Sequence, residues 1–179
     1  DRACDDLGVD TIETGAAMAV AMEGGLLAFG DGERAEKIVQ EMRRLTPLGR
    51  VILAGAEVAG RVFGVRRVPA VKGQSMAAYD PRALKGYGAT YATSPMGADH
   101  TAGICLMPNL DGPQVGIYPE GQAELSMSIQ VKTAALLDSL GLCLFAGRPI
   151  MSIPDALAAV VAMVNAHCGT AYSADALMD

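Results

Sequence analysis

A chain of 179 residues with 51% hydrophobic side chains is long and apolar enough to build a packed core. Fourteen Lys and Arg against twenty Asp and Glu leave a formal charge of −6, the wrong sign for a nucleic-acid partner. The longest apolar stretches, such as 156–164, fall short of the roughly 20 residues a bilayer span needs, and no basic-then-apolar leader precedes them, so a soluble cytoplasmic protein is expected.

Ala, Val, Leu and ten Met dominate while aromatics make up 4%, which predicts a mainly α-helical fold. Residues Asp1–Leu7 carry no initiator Met and read as the end of a helix, so the expectation is an internal piece that starts in mid-domain. Asp10-Thr11-Ile12-Glu13 has the form of a capping box that opens a helix over Gly15–Met22, ending near Gly24-Gly25. After a turn at Phe29–Gly32, the spacing of Ala35, Ile38, Val39 and Met42 predicts an amphipathic surface helix. Leu48–Gly64 is rich in small residues and suits one tightly packed helix or two short ones. Val71–Gly103 is rich in Gly, Pro, Tyr, Ser and Thr and is expected to have only short helical stretches facing a cavity. Met107–Pro119 reads as an exposed excursion, followed by a helix over Gly121–Leu137. Ser152–Asp155 starts another helix through Ala156–Ala166, and a last one begins at Ser173. Sub-domains of about 1–70 and 71–179 are expected within the chain.

One pattern occurs twice. Asp5-Asp6-Leu7-Gly8-Val9-Asp10 and Asp138-Ser139-Leu140-Gly141-Leu142-Cys143 share D-x-L-G-[V/L]-[D/C], and a single D-x-x-G-aliphatic-[D/C] match arises by chance in roughly one chain per hundred of this length. A helix C-cap explains the Gly and the aliphatic residue. It does not explain the Asp three positions earlier or the Cys in the second copy. A carboxylate beside a glycine suits a flat heterocycle, since an aminopyrimidinone presents adjacent N–H donors and Gly lets the backbone come close.

With these loops the sequence resembles the aldehyde:ferredoxin oxidoreductase family, whose members bind two molybdopterins through paired D-x-x-G-L-[D/C] loops. Val71-Lys72-Gly73, Ala78-Tyr79-Asp80-Pro81-Arg82, Tyr91-Ala92-Thr93-Ser94 and Gly97-Ala98-Asp99-His100 look like further family segments in the family's order. The resemblance implies the helical domains 2 and 3 of that fold, with irregular cofactor-binding loops and without its N-terminal β-rich pterin domain. It also implies oxidation of an aldehyde with water to a carboxylic acid at a tungsten or molybdenum bis-pterin centre. Asp5, Gly8, Val9, Asp10, Asp138, Gly141 and Leu142 would then hold the pterins. Cys143 would be one of four thiolates on a [4Fe–4S] cluster, the other three lying upstream, with ferredoxin or a related subunit taking the electrons.

His100 matches a family histidine close to the metal and would move a proton as water attacks the carbonyl of a small aldehyde. Tyr79 would face the substrate, although a loop tyrosine is as often a packing residue. Cys4, Cys105 and Cys168 form no C-x-x-C pair and read as structural, as does His167. Glu13 reads as a cap rather than a catalytic group, and Met18, Met22 and Met163 as core filling. Lys72, Asp80, Arg82 and Lys85 either brace their segment or contact pterin phosphates, and the sequence favours bracing. Two alternatives are an aromatic acyl-CoA reductase on the same fold and a non-catalytic helical scaffold whose loops are only caps. The particular aldehyde, the preferred metal and any homo-oligomer are not legible.

Overall fold

In the computed structural model, which describes residues 1–111 and 115–178, the chain is mainly α-helical. It divides into two compact units, Asp1–Asp80 with Tyr91–His100, and Pro81–Thr90 with Thr101–Asp179.

The first unit is built on α1 (Arg2–Leu7), α2 (Thr11–Glu23), α3 (Gly32–Arg43), α4 (Pro47–Leu53) and α5 (Gly55–Phe63). Its core is formed by Ala17, Met18, Val20 and Ala21 of α2, Ile38 and Met42 of α3, Ile52 of α4, and Ala56 and Ala59 of α5. Small residues on both α2 and α5 let those helices pack closely. The stretch from Leu48 to Gly64 resolves into a pair of helices, because Gly55 at φ 88 redirects the chain after Ala54 closes α4. Thr46 opens α4, its Oγ1 accepting from the Gly49 N–H at 3.1 Å and donating to Glu41 Oε2 at 2.6 Å. We expect Thr46→Ala to cost about 1 kcal/mol through the lost cap, measurable as a lower midpoint in urea.

After α5 a hairpin interrupts the helices: β1 (Ala70–Val71) pairs antiparallel with β2 (Gln74–Ser75). Lys72 at φ 52 and Gly73 at φ 85 form its two-residue turn, the left-handed pair that such hairpins require. The periodicity gave no sign of this hairpin, since strands of two residues are too short to show alternation.

The second unit carries α7 (Leu106–Asp111), α8 (Gln122–Thr133), a π-helical turn (Ala134–Asp138), α9 (Leu144–Ser152), α10 (Pro154–Cys168) and α11 (Ala174–Met178). The division between the units passes through α6 (Lys85–Thr93). Residues 112–114 of the excursion expected over Met107–Pro119 lie outside the described residues. Before them α7 is helical, and Asn109 is buried rather than exposed, donating from Nδ2 to Gln122 Oε1 at 2.8 Å. Thr90, Ser126 and Cys105 form a buried polar knot beside it, with Thr90 Oγ1 2.8 Å from Ser126 Oγ. A second apolar cluster joins Leu136, Leu137 and Val160 to Leu140, Leu142, Leu144, Ile150 and Leu157. Met18 lies in the first unit's core and Met22 packs against it, whereas Met163 is 65% exposed. Core filling therefore fails for Met163, because α10 buries only its Val160 side. No helix among the described residues is long and apolar enough to cross a membrane.

Candidate functional site

The two repeated loops have the same backbone. In the first, the Val9 N–H reaches the Cys4 carbonyl at 3.1 Å and the Gly8 N–H reaches Asp5 at 3.1 Å. In the second, Leu142 reaches Leu137 at 2.9 Å and Gly141 reaches Asp138 at 3.3 Å. Gly8 at φ 69 and Gly141 at φ 63 are left-handed, so each loop is a Schellman cap followed by an extended residue, Asp10 or Cys143, that starts the next helix.

This cap alone does not set the loops apart. The six-to-one bond recurs from Leu26 to Ala21, Val65 to Gly60 and Thr170 to Asn165, around Gly25, Gly64 and Gly169. Three residues before those glycines stand Met22, Arg61 and Ala166. Only the repeated pair places an exposed carboxylate, Asp5 or Asp138, beside the glycine. A Cβ at Gly8 or Gly141 would meet nothing within 4 Å. The face beside each carboxylate is therefore open.

Asp10 caps α2, its Oδ1 accepting from the Glu13 N–H at 2.6 Å. Glu13 does not return the bond to Asp10, as a capping box would require. Its carboxylate instead takes the Ala56 N–H at 2.8 Å and the Ser75 N–H at 2.8 Å, so it ties α2 to both α5 and the hairpin. That long-range role is what the sequence reading of Glu13 lacked. It remains structural, but through partners 43 and 62 residues away.

Beside this tie lies a cavity of about 320 Å³ lined by Asp10, Ile12, Glu13, Gln74, Ser75, Ala98, Asp99 and His100. The hairpin holds its far wall: Lys72 Nζ donates to the Ser94 carbonyl at 2.7 Å, and a Cβ on Gly97 would collide with the Val71 carbonyl oxygen. His100 is half-buried there, its ring centroid 5.4 Å from that of Tyr79 with the planes tilted at 45°. The structure thus brings together Asp10 of the first loop, His100 and, through His100, Tyr79. Asp138, Gly141, Leu142 and Cys143 belong to the second unit.

Tyr91, 1% exposed, donates from its hydroxyl to the Tyr79 carbonyl at 3.2 Å. Burial pushes its phenol up to about 12 from 10.0, and the Tyr79 phenol and the Asp80 and Asp99 carboxylates add to this. Since the folded value is raised, the stabilisation is fully present below about pH 10 and is lost as the pH climbs through about 12. Tyr91→Phe should flatten the alkaline fall in stability, an outcome read by comparing urea midpoints at about pH 9 and about pH 11.5 with those of the unsubstituted protein.

Among the cysteines, Cys4 and Cys105 are buried and Cys143 and Cys168 are exposed thiols. Burial pushes the Cys105 thiol up, against hydrogen bonds from Thr90 and Ser126 that pull it down, which suits an unreactive packing residue. His167 is exposed in the last turn of α10. Lys85 Nζ donates to the Arg82 carbonyl at 3.1 Å, so Lys72 and Lys85 both brace backbone. Among the described residues no group of three or more His, Cys, Asp or Glu side chains could hold a metal ion.

Comparison with known proteins decides what these loops belong to. The family model described as aldehyde ferredoxin oxidoreductase, domains 2 and 3, matches residues 1–179. The chain belongs to the aldehyde ferredoxin oxidoreductase family. It is 29% identical over 160 residues to the tungsten-containing aldehyde ferredoxin oxidoreductase of Pyrococcus furiosus, which covers 79% of this chain and 26% of that protein. It is 28% identical over 160 residues to the protein of the same description from Thermococcus kodakarensis, with the same 79% and 26% coverage. The chain therefore spans about a quarter of the length of these curated relatives. As a member of this family it carries the helical domains, and its mainly α architecture agrees with that placement.

Proposed function

We propose that the protein to which this chain belongs oxidises an aldehyde with water to a carboxylic acid at a tungsten or molybdenum bis-pterin centre, passing electrons through a [4Fe–4S] cluster to ferredoxin. The observation that carries this reading is the shared cavity: Asp10, from the first repeated loop, and His100 line the same space of about 320 Å³. A loop suited to a heterocycle and a side chain suited to proton transfer meet at one place.

The residues present fit two pterins. Each loop offers an exposed carboxylate, Asp5 or Asp138, to accept N–H donors of the ring, and a glycine with open space over it. Gly8 with Val9, and Gly141 with Leu142, set the backbone of each cap. In the first loop Oδ1 of Asp10 is committed to the cap, leaving Oδ2 to meet a donor in the cavity. Cys143 is exposed at the start of α9, suited to serve as one thiolate of the cluster, with its companions in the part of the family's length that this chain does not span.

When bound, the bis-pterin metal centre supplies the acceptor for the two electrons that aldehyde oxidation releases. The chain's own residues manage position and protons. His100, in ring contact with Tyr79, takes the proton from water at an imidazole nitrogen as the water oxygen adds to the carbonyl carbon. Tyr79 holds the imidazole ring, and Tyr91 fixes Tyr79 through its backbone carbonyl.

The test is anaerobic turnover by the full-length protein with an aldehyde and a viologen dye as electron acceptor. Dye reduction that requires aldehyde supports the reading. Activity confined to reduction of an aromatic acyl-CoA, with none on aldehydes, would replace it with the reductase alternative.

A further inference from the structure

Ser75 was not singled out by any sequence motif, yet its side chain is in an unusual position. It is 3% exposed, its Oγ has no hydrogen-bond partner, and it lines the cavity that holds Asp10 and His100. A buried hydroxyl left unsatisfied is unfavourable unless a ligand completes it. Its backbone is fixed by the Ser75 N–H donating to Glu13 Oε2 at 2.8 Å, so the hydroxyl cannot relax by moving the strand.

The groups around the cavity match one edge of a heterocycle. An aminopyrimidinone presents an amine, a ring N–H and a carbonyl in a row. Asp10 Oδ2, the oxygen not spent on the cap, can accept from one of these donors but offers nothing to the carbonyl, since a carboxylate oxygen only accepts. A hydroxyl can donate. The Asp99 and Glu13 carboxylates cannot, and Gln74 is the more exposed of the hairpin residues facing the space.

We propose that Ser75 is a further cofactor-positioning residue, donating its hydroxyl hydrogen to the carbonyl oxygen of the pterin pyrimidinone ring, one of whose N–H groups Asp10 Oδ2 accepts. The inference rests on the bis-pterin reading above. No covalent change is involved; one hydrogen bond completes both an orphaned protein group and a ligand acceptor.

The experiment is Ser75→Ala, with Ser75→Thr as the variant that keeps the hydroxyl, in the full-length protein purified anaerobically. Pterin per chain is measured by fluorescence of the oxidised cofactor after prolonged dialysis, alongside the urea midpoint of the cofactor-free protein. Loss of about half or more of the pterin in the Ala variant, retention in the Thr variant and an unchanged or higher midpoint of the cofactor-free Ala variant are expected. Pterin content equal to the unsubstituted protein's in the Ala variant would overturn the assignment. So would a fall in the cofactor-free midpoint that accounts for the loss, since that marks a purely structural serine. Absence of pterin from the unsubstituted protein would instead remove the reading on which the inference rests, and the inference with it.

Discussion

Under the proposed aldehyde oxidation, replacing His100 with Ala is expected to lower kcat by about 10²- to 10⁴-fold, the contribution of a positioned general acid or base, with pterin and metal content unchanged. His100 is half-buried on a cavity wall and contacts the Tyr79 ring. Its removal takes away the proposed proton carrier without opening the core of its unit, which is built from α2 to α5. Because proton transfer is needed only as the carbonyl reacts, the loss should fall on kcat more than on KM. Tyr79→Phe keeps the ring that braces the imidazole and should lose far less. A His100→Ala variant that retains kcat within about twofold would remove the histidine from the chemistry.

Gly97→Ala should damage the same site from a different direction. Gly97 has φ 107, a conformation that costs a residue with a Cβ about 1–3 kcal/mol. The added methyl would also collide with the Val71 carbonyl oxygen at the hairpin, at a further cost of about 1–3 kcal/mol for overpacking. Backbone cannot yield as a flexible side-chain tip can, so the turn from Ser94 to His100 must move away from the hairpin. The Lys72 bond to the Ser94 carbonyl weakens with it. A lowered urea midpoint together with a fall in kcat is expected. Gly88→Ala, whose Cβ would come no closer than 3.3 Å to a Pro81 side-chain atom, is the milder control. Wild-type stability and activity in the Gly97→Ala variant would show that the hairpin does not hold the histidine segment.

What the sequence disclosed was what local chemistry fixes. Helix caps are written within a few residues, so the left-handed Gly8 and Gly141 and the Asp10 cap could be read from spacing, whereas 48–64 reads equally as one helix or two and only the fold resolves it into a pair. The excess of Asp5, Asp138 and Cys143 over what a cap needs pointed to the family before any geometry was available, and the match over residues 1–179 agrees. Hidden from that reading were contacts between distant positions. Glu13 satisfied a local pattern, yet its carboxylate is spent on Ala56 and Ser75. Asn109 sits in a stretch of turn formers but is buried by partners at Gly86 and Gln122. Ser75 carried no signal at all, because its interest lies in a missing partner, which only a folded cavity can reveal. Met163 looked like core by its helical position, but periodicity alone does not say which face of a helix is covered.

Whether the carboxylates of the repeated loops hold pterin is read most directly from pterin and metal content of the full-length protein, expressed anaerobically with tungsten and molybdenum supplied, with and without Asp138→Ala. A tungsten- or molybdenum-containing protein with bound pterin is expected, with a clear fall in pterin per chain in the variant. A protein with neither metal, or an Asp138→Ala variant with undiminished pterin, would contradict it.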